Sequence, residues 1–416
     1  MKRARRLRDA AAALVRLAAR NVLRHRARTA MTLAAIAFGV IGLVLSGGFV
    51  QDIFVQLGEA VIHSQSGHLQ VAKAGFAAKG ARRPEHYLIA APDALRSRIA
   101  AEPGVADVMG RISFSGLLGN GRSDLSIVGE GIEPEREARN GSYLFITAGR
   151  QLTDRDRFGA LLGRGVAQAL KLAPGDRATL VVSTRDGAAN TLDLEVVGVF
   201  QTFSKDYDAR AVKIALPAAQ ELMDSRGVNA LVVALHRTRD TARVAAVLRD
   251  ALSGQALEVR TWDELNDFYA KTVKLYDRQF GALRLIILAM VLLSVSNTVN
   301  MTIFERVGEF GTMRALGNRG SNVFALVLAE SVVLGAAGAA LGAALGVLLA
   351  AAISAVGIPM PPPPNADIGY TAQIRLVPSV VASAFAIGLV ATVLAAILPA
   401  LRVARANVVD ALRQNV

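Results

Sequence analysis

The sequence predicts an α-helical membrane protein with four transmembrane helices plus a large α+β domain inserted between helices 1 and 2. Three observations carry this reading. Four apolar runs are each long enough to cross a bilayer, which takes roughly 20 residues. The interval at residues 51–279 is too long for a loop and carries strand and turn signals. Hydrophobic residues make up 52% of the chain and the mean hydropathy is +0.37. That is too apolar for an ordinary soluble enzyme and too charged for a chain wholly in lipid.

Residues 1–28 form a basic segment. Lys2, Arg3, Arg5, Arg6, Arg8, Arg16, Arg20, Arg24, Arg26 and Arg28 face only Asp9 in charge. Such an excess beside an apolar run marks the cytoplasmic side. It also accounts for much of the net charge of +13. Nucleic-acid binding is set aside, because no binding motif accompanies the charge. Residues 29–50 read as the first span. A signal peptide is the competing reading, but no small-x-small cleavage site follows in residues 47–56, so the helix is taken as uncleaved.

The remaining topology follows from the first span. Residues 51–279 lie on the far side and 285–304 form the second span. Residues 305–322 form a short cytoplasmic loop and 323–356 the third span. Residues 357–376 form a proline-rich far-side loop and 377–401 the fourth span. Residues 402–416 form a cytoplasmic tail with Arg402, Arg405 and Arg413. Arg284, at the far end of the second span, can snorkel to the interface.

Within the insert, residues 68–71 and 231–235 read as strands, and 94–101 and 241–252 as amphipathic helices. Strands at 180–183 and 192–200 flank Asp186-Gly187, a hairpin signal. The run Pro361 to Pro364 should be extended and stiff.

Several chemistries are excluded. The chain has no cysteine, so disulfide, thiolate-metal and thiol chemistry are absent. It has no phosphate-cradling G-x-x-x-x-G-K-[ST] loop, no H-E-x-x-H and no G-x-S-x-G. The segment from His63 to His68 offers two histidines and two serines, as a metal pair or a Ser/His site would. With no suitably spaced third ligand or acid, it reads as a polar turn leading into a strand.

The loop after the second span is the most informative segment. Phe304, Val307, Phe310, Met313 and Leu316 recur about every third residue and can form an apolar stripe, with Glu305, Arg306, Glu309 and Arg314 around it. Such a helix either lies in a groove on a partner protein or rests on lipid headgroups. Glu330 falls inside the third run, where a charge is costly. It either pairs with a basic group of the loop or first span, or stays protonated or snorkels. Gly338, Gly342 and Gly346 put glycine on one helix face at four-residue spacing. That suits close helix contact, although an Ala/Gly-rich run makes such spacing by accident too.

The loop, from Glu305 and Arg306 through Val307, Glu309, Phe310, Met313 and Arg314 to Leu316 and Gly317, resembles that of the FtsX/MacB/Lol superfamily of ABC transporter permeases. The tail from Leu398 to Arg413 and the entry from Ala19 to Arg28 resemble the same superfamily. So do Leu162 to Ala167, Pro174-Gly175-Asp176, Val196 to Phe200 and Val259 to Leu265. Within it the similarity runs nearest to the lipoprotein-release (Lol-type) permeases, on Thr261 to Leu265 and Gly67 to Val71.

The resemblance implies a permease in the bacterial inner membrane, with a periplasmic α+β domain and cytoplasmic termini. It implies a separate ABC ATPase that carries the ATP and magnesium, a second permease subunit, identical or not, and a possible periplasmic carrier or outer-membrane component. Residues 305–317 would couple to the ATPase. The cargo would be a lipoprotein or another hydrophobic molecule. MacB-like efflux of drug or peptide, and FtsX-like regulation of cell-wall hydrolases, are the alternatives. In one respect the sequence departs from the Lol pattern. The carrier-capturing arm of those permeases contains proline, whereas residues 183–191 form a short hairpin without it.

Overall fold

The structure is a computed structural model that describes residues 26–80, 83–141, 144–184, 187–362 and 369–405, with Arg16, Ala18, Arg20 and Asn21. Most of the basic N-terminal segment lies outside the described residues. So do Asp186 of the expected turn, Pro363 and Pro364, and the tail from residue 406 with Arg413.

Helix α1, Arg26–Val61, is 36 residues long. It continues well past residue 50, where the hydropathy reading ended the first span. The pattern changes there and the conformation does not. After Val50 the sequence turns amphipathic, with Ile53, Leu57, Ala60 and Val61 buried at helical spacing. At about 1.5 Å per residue, α1 far exceeds the roughly 30 Å of a hydrocarbon layer. Its distal part from Val55 onward belongs to the sheet domain. A π turn, Ile62–Ser66, follows. It stops at Gly67, whose φ of +66° favours glycine.

The sheet domain holds ten strands in one sheet. They are β1 (Leu69–Lys73), β2 (Val105–Gly119), β3 (Asp124–Ile132), β4 (Phe145–Gly149), β5 (Gly159–Gly163), β6 (Arg177–Ser183), β7 (Ala189–Gln201), β8 (Ala211–Ala215), β9 (Ala230–Leu235) and β10 (Leu257–Thr261). The order is β10-β1-β9-β2-β3-β8-β5-β7-β4, with β6 pairing to β2 and β7. The β3/β8 and β5/β7 pairs are parallel. Strands β5, β8 and β9 are buried along their whole length, as apolar runs require in β5 and β9, while β8 buries Lys213 among its apolar residues. Strand β6 alternates, as one covered face requires. The predicted hairpin is present and longer than expected: β6 and β7 pair from Arg177↔Glu195 to Ser183↔Ala189.

Short helices cover the sheet: α2 (Pro92–Ala100), α3 (Pro134–Asn140), α4 (Arg164–Leu170), α5 (Leu216–Leu222) and α6 (Thr241–Ala251). Proline opens α2 and α3 and stands second in α5, in the first turn where its missing N–H costs nothing. In α6, Val244, Ala245 and Leu248 face the core.

The helical unit adds α7 (Asp267–Glu305), α8 (Val307–Ala315), α9 (Gly320–Val356) and α10 (Pro378–Arg405) to the first part of α1. Among the described residues, α1, α7, α9 and α10 are long and apolar enough to cross a membrane. Helix α7 starts well before residue 285. Asn266 caps it by accepting from the Tyr269 N–H at 2.9 Å, and the charged Lys271, Lys274, Asp277 and Arg278 hide its first turns from a hydropathy scan. Ile36, Val40 and Val44 of α1, Val295 and Val299 of α7, Val323 and Leu326 of α9, and Ala391 and Ala395 of α10 share one core. Much of α7 is left uncovered within the chain, including Leu285, Ile286, Met290 and Leu293.

Candidate coupling site

Arg306 breaks the helix between α7 and α8, with φ −109° and ψ 13°. Its side chain turns inward and is largely buried. The Nη1 group donates to both carboxylate oxygens of Glu330 on α9, at 2.9 and 3.1 Å. The Nε group donates to Glu309 at 2.9 Å. Asn21, from the segment before α1, donates to the same Glu330 at 2.7 Å. The guanidinium also lies over the Phe310 ring, 5.0 Å from its centre. Glu330 is therefore paired with a basic group of the loop, the first of the readings left open by the sequence. A paired, hydrogen-bonded carboxylate can be tolerated at this depth where a lone one could not. The adjoining cavity, lined by Thr302, Ser331 and Leu334 among others, measures about 30 Å³. That is room for water and not for cargo.

The expected apolar stripe is divided. Phe310 is 3% exposed and packs into the chain's own helical core, and Met313 packs against that core. Phe304 is 75% exposed and Leu316 81%. Spacing near three residues drifts around a helix of 3.6 residues per turn, and the break at Arg306 rotates Phe304 away from α8. Phe310 is thus an internal anchor and does not offer itself to a groove on another protein. Val307 and Arg314 are half-buried, while Glu305 and Glu309 are on the outside. Gly317 closes α8 with φ +95°. Its N–H donates to Arg314 O and that of Asn318 to Met313 O, a glycine stop.

The glycine face of α9 meets α1. A β-carbon on Gly338 would stand 2.9 Å from Ile36 Cβ, and one on Gly346 would stand 3.1 Å from Val44 Cβ. Gly335 turns instead to Thr392 of α10. The spacing is therefore a real packing face, and its partner lies in the same chain.

The sequence reading missed Asp52. Its side chain is 2% exposed and accepts from Arg375 Nε at 3.0 Å and from the Gln373 N–H at 2.8 Å. This ties α1 to the segment entering α10. The signal was an aspartate just past an apolar run and a lone arginine just before another. Asn21 carried no such signal.

The sheet domain has its own buried charges. Lys213 Nζ sits 2.8 Å from Glu130, and Tyr207 donates to the same oxygen at 3.1 Å. Arg111 bonds Glu137 and the carbonyl of Gln65. Burial by itself would raise the Glu130 carboxyl. Lys213 and Arg111 reverse this and hold it at about 2. The network binds β2, β3, β8 and α3 together.

Residues 29–251 match the family model of the MacB-like periplasmic core domain, more than half of the chain, and residues 281–408 match the FtsX-like permease C-terminal model. The chain belongs to the MacB/FtsX-type ABC transporter permeases. An uncharacterized ABC transporter permease of Methanocaldococcus jannaschii is 25% identical to this MacB/FtsX-type chain over 236 residues. The match covers 53% of the chain and 55% of that relative, so the chain spans about half the relative's length. The periplasmic region of MacB from Actinobacillus actinomycetemcomitans aligns at TM-score 0.36 with 14% identity, over 51% of this permease and 95% of that chain. The extracellular domain of the noncanonic ABC-type transporter YknZ from Gram-positive bacteria aligns at 0.34 with 15% identity, over 47% and 99%.

Proposed function

We propose that this permease sits in the bacterial inner membrane with the sheet domain in the periplasm and both termini in the cytoplasm. It works with a separate ABC ATPase and a second permease subunit. ATP-driven movement of the ATPase is transmitted through α8 to the membrane helices, and the sheet domain acts on a periplasmic or outer-leaflet substrate. The observation that carries this reading is the Arg306–Glu330 pair. It fastens the break before α8 to α9, with Asn21 on the same carboxylate. A push on α8 is then delivered into the bundle by a buried charge pair, which is costly to break. The uncovered Phe304 and Leu316, with Glu305 beside them, form the face offered to the ATPase. The test is ATP hydrolysis against substrate release in reconstituted complexes. Glu330→Gln should retain ATPase association yet uncouple hydrolysis from release. Unchanged coupling would remove the pair from the mechanism.

For cargo, the reading is a lipoprotein or similarly hydrophobic molecule, with MacB-like efflux of drug or peptide as the second reading, favoured by the MacB-like core match. Capture by a soluble carrier on this subunit is disfavoured. The β6–β7 connection is closed by Thr184 N–H to Ala188 O at 2.8 Å and Gly187 N–H to Thr184 O at 3.0 Å, and the hairpin pairs right up to Ser183↔Ala189. A photo-reactive residue in the sheet domain, crosslinked to endogenous cargo, distinguishes the two readings.

A further inference from the structure

A polar cluster that the coupling mechanism does not use stands where α1 ends. Glu59 and His63 lie one turn apart, with side chains 28% and 26% exposed. His63 Nε2 is 3.2 Å from Glu59 Oε2, and its Nδ1 is 2.6 Å from the carbonyl oxygen of Asn140, the last residue of α3. A carboxylate and a carbonyl only accept hydrogen bonds. Both ring nitrogens must therefore donate, and the ring satisfied by this arrangement is the imidazolium.

The neighbours leave no ambiguity in direction. Leu235 N–H donates to His68 Nδ1 at 3.2 Å, which puts the His68 proton on Nε2. Nε2 then donates to Thr238 Oγ1 at 3.2 Å, and the Thr238 hydroxyl donates to Glu59 Oε1 at 2.7 Å. Among the described residues, no group of three or more metal-ligating side chains is assembled here. Burial and the neighbouring His63 hold His68 down at about 4. Among the described residues, Arg111, on the carbonyl of Gln65, and Glu137 of α3 are further charged groups at this joint.

We propose that His63 is a pH-sensitive fastener between the end of α1 and α3: as the imidazolium it holds Glu59 and Asn140 at once, and on losing a proton it must release one of them. A neutral ring would turn a lone pair toward the carbonyl or the carboxylate, and either contact is repulsive. The fastener is closed on the acid side and opens as pH rises. If the sheet domain faces outward as proposed above, the pH of the medium outside the membrane sets it.

The chain carries its own reporter. Trp262 is the single tryptophan. A β-carbon on Gly58 of α1 would stand 2.8 Å from its ring, and the Trp262 backbone N–H donates to the His68 carbonyl oxygen at 3.1 Å. Trp262 emission of the full chain in lipid nanodiscs is to be followed from about pH 5 to about pH 8, the range in which histidine titrates. We expect one sigmoidal change in the native chain and none in His63→Gln. In Glu59→Gln the midpoint should fall by about one pH unit or more, the ordinary effect of losing a paired carboxylate. Amide exchange in residues 134–141, corrected for intrinsic rates, should rise toward high pH in the native chain only. A flat native titration, an unchanged curve in His63→Gln, or an unmoved midpoint in Glu59→Gln each overturns the proposal. Should His63→Gln fail to insert, the Glu59→Gln midpoint decides alone.

Discussion

Gly342 of α9 lies so close to Ala37 of α1 that a β-carbon on it would stand 2.8 Å from both the α-carbon and the carbonyl oxygen of Ala37. Backbone cannot yield as the end of a side chain can. Gly342→Leu should therefore pry the two helices apart, at a cost of about 1–3 kcal/mol for overpacking. The expected result is a lower melting temperature in detergent and reduced assembly with the ATPase. Unchanged stability would mean that α1 and α9 do not touch at this point.

Phe310 and Leu316 should separate folding from docking. Phe310→Asp places a charge in the helical core, so it should destabilise the permease itself. Leu316→Asp alters only an 81% exposed residue. It should leave stability within about 0.5 kcal/mol of native while weakening ATPase co-purification. Full association of Leu316→Asp would move the docking face elsewhere on the cytoplasmic side.

Acid should weaken the sheet domain through Glu130. Its carboxyl is held at about 2 in the fold, against an ordinary value near 4.5. The stability it contributes is present above the ordinary value and is lost as pH falls through about 2. Glu130→Gln should flatten this acid limb while costing about 3–5 kcal/mol near neutrality, because Lys213 is left buried without its partner. Melting curves of both chains between those two pH values test this.

Absence of native cysteine makes topology directly readable. Single cysteines at Ser183 and Asn318, both exposed, should label on opposite sides. A membrane-impermeant maleimide should reach position 183 in spheroplasts and position 318 only after lysis. Labelling of 318 in intact cells would overturn the proposed arrangement of the four spans.

How legible this was depended on the kind of signal. Spans, hairpin and glycine face could be read because each is a local pattern: hydropathy, Asp-Gly between alternating runs, a four-residue repeat. The ends of α1 and α7 could not, because amphipathic turns such as Ile53 to Val61 lack the uniform hydropathy of the apolar runs before them. At the candidate coupling site the sequence left Glu330 either paired with a basic group or protonated and snorkelling, and did not show that Arg306 would turn inward to pair with it. Nor did it show that Phe310 would follow. That choice is made by a break in the helix at one residue, and nothing in the motif marks it. The Asn21 contact joins residues 309 positions apart, beyond any periodicity.

The glycine face of α9 has a further property. Gly338, Gly342 and Gly346 repeat every four residues and Ala350, also buried, continues the series. A displacement of α9 along α1 by one repeat, about 6 Å, would return a small residue to each contact in turn. The contact is degenerate, like the teeth of a rack, and cannot by itself choose among its settings. The off-pattern bond from Asn21, in the segment before α1, to Glu330 of α9 does not repeat along the helix. It selects the setting, so breaking it should free the helices to slip between positions that the glycines treat alike.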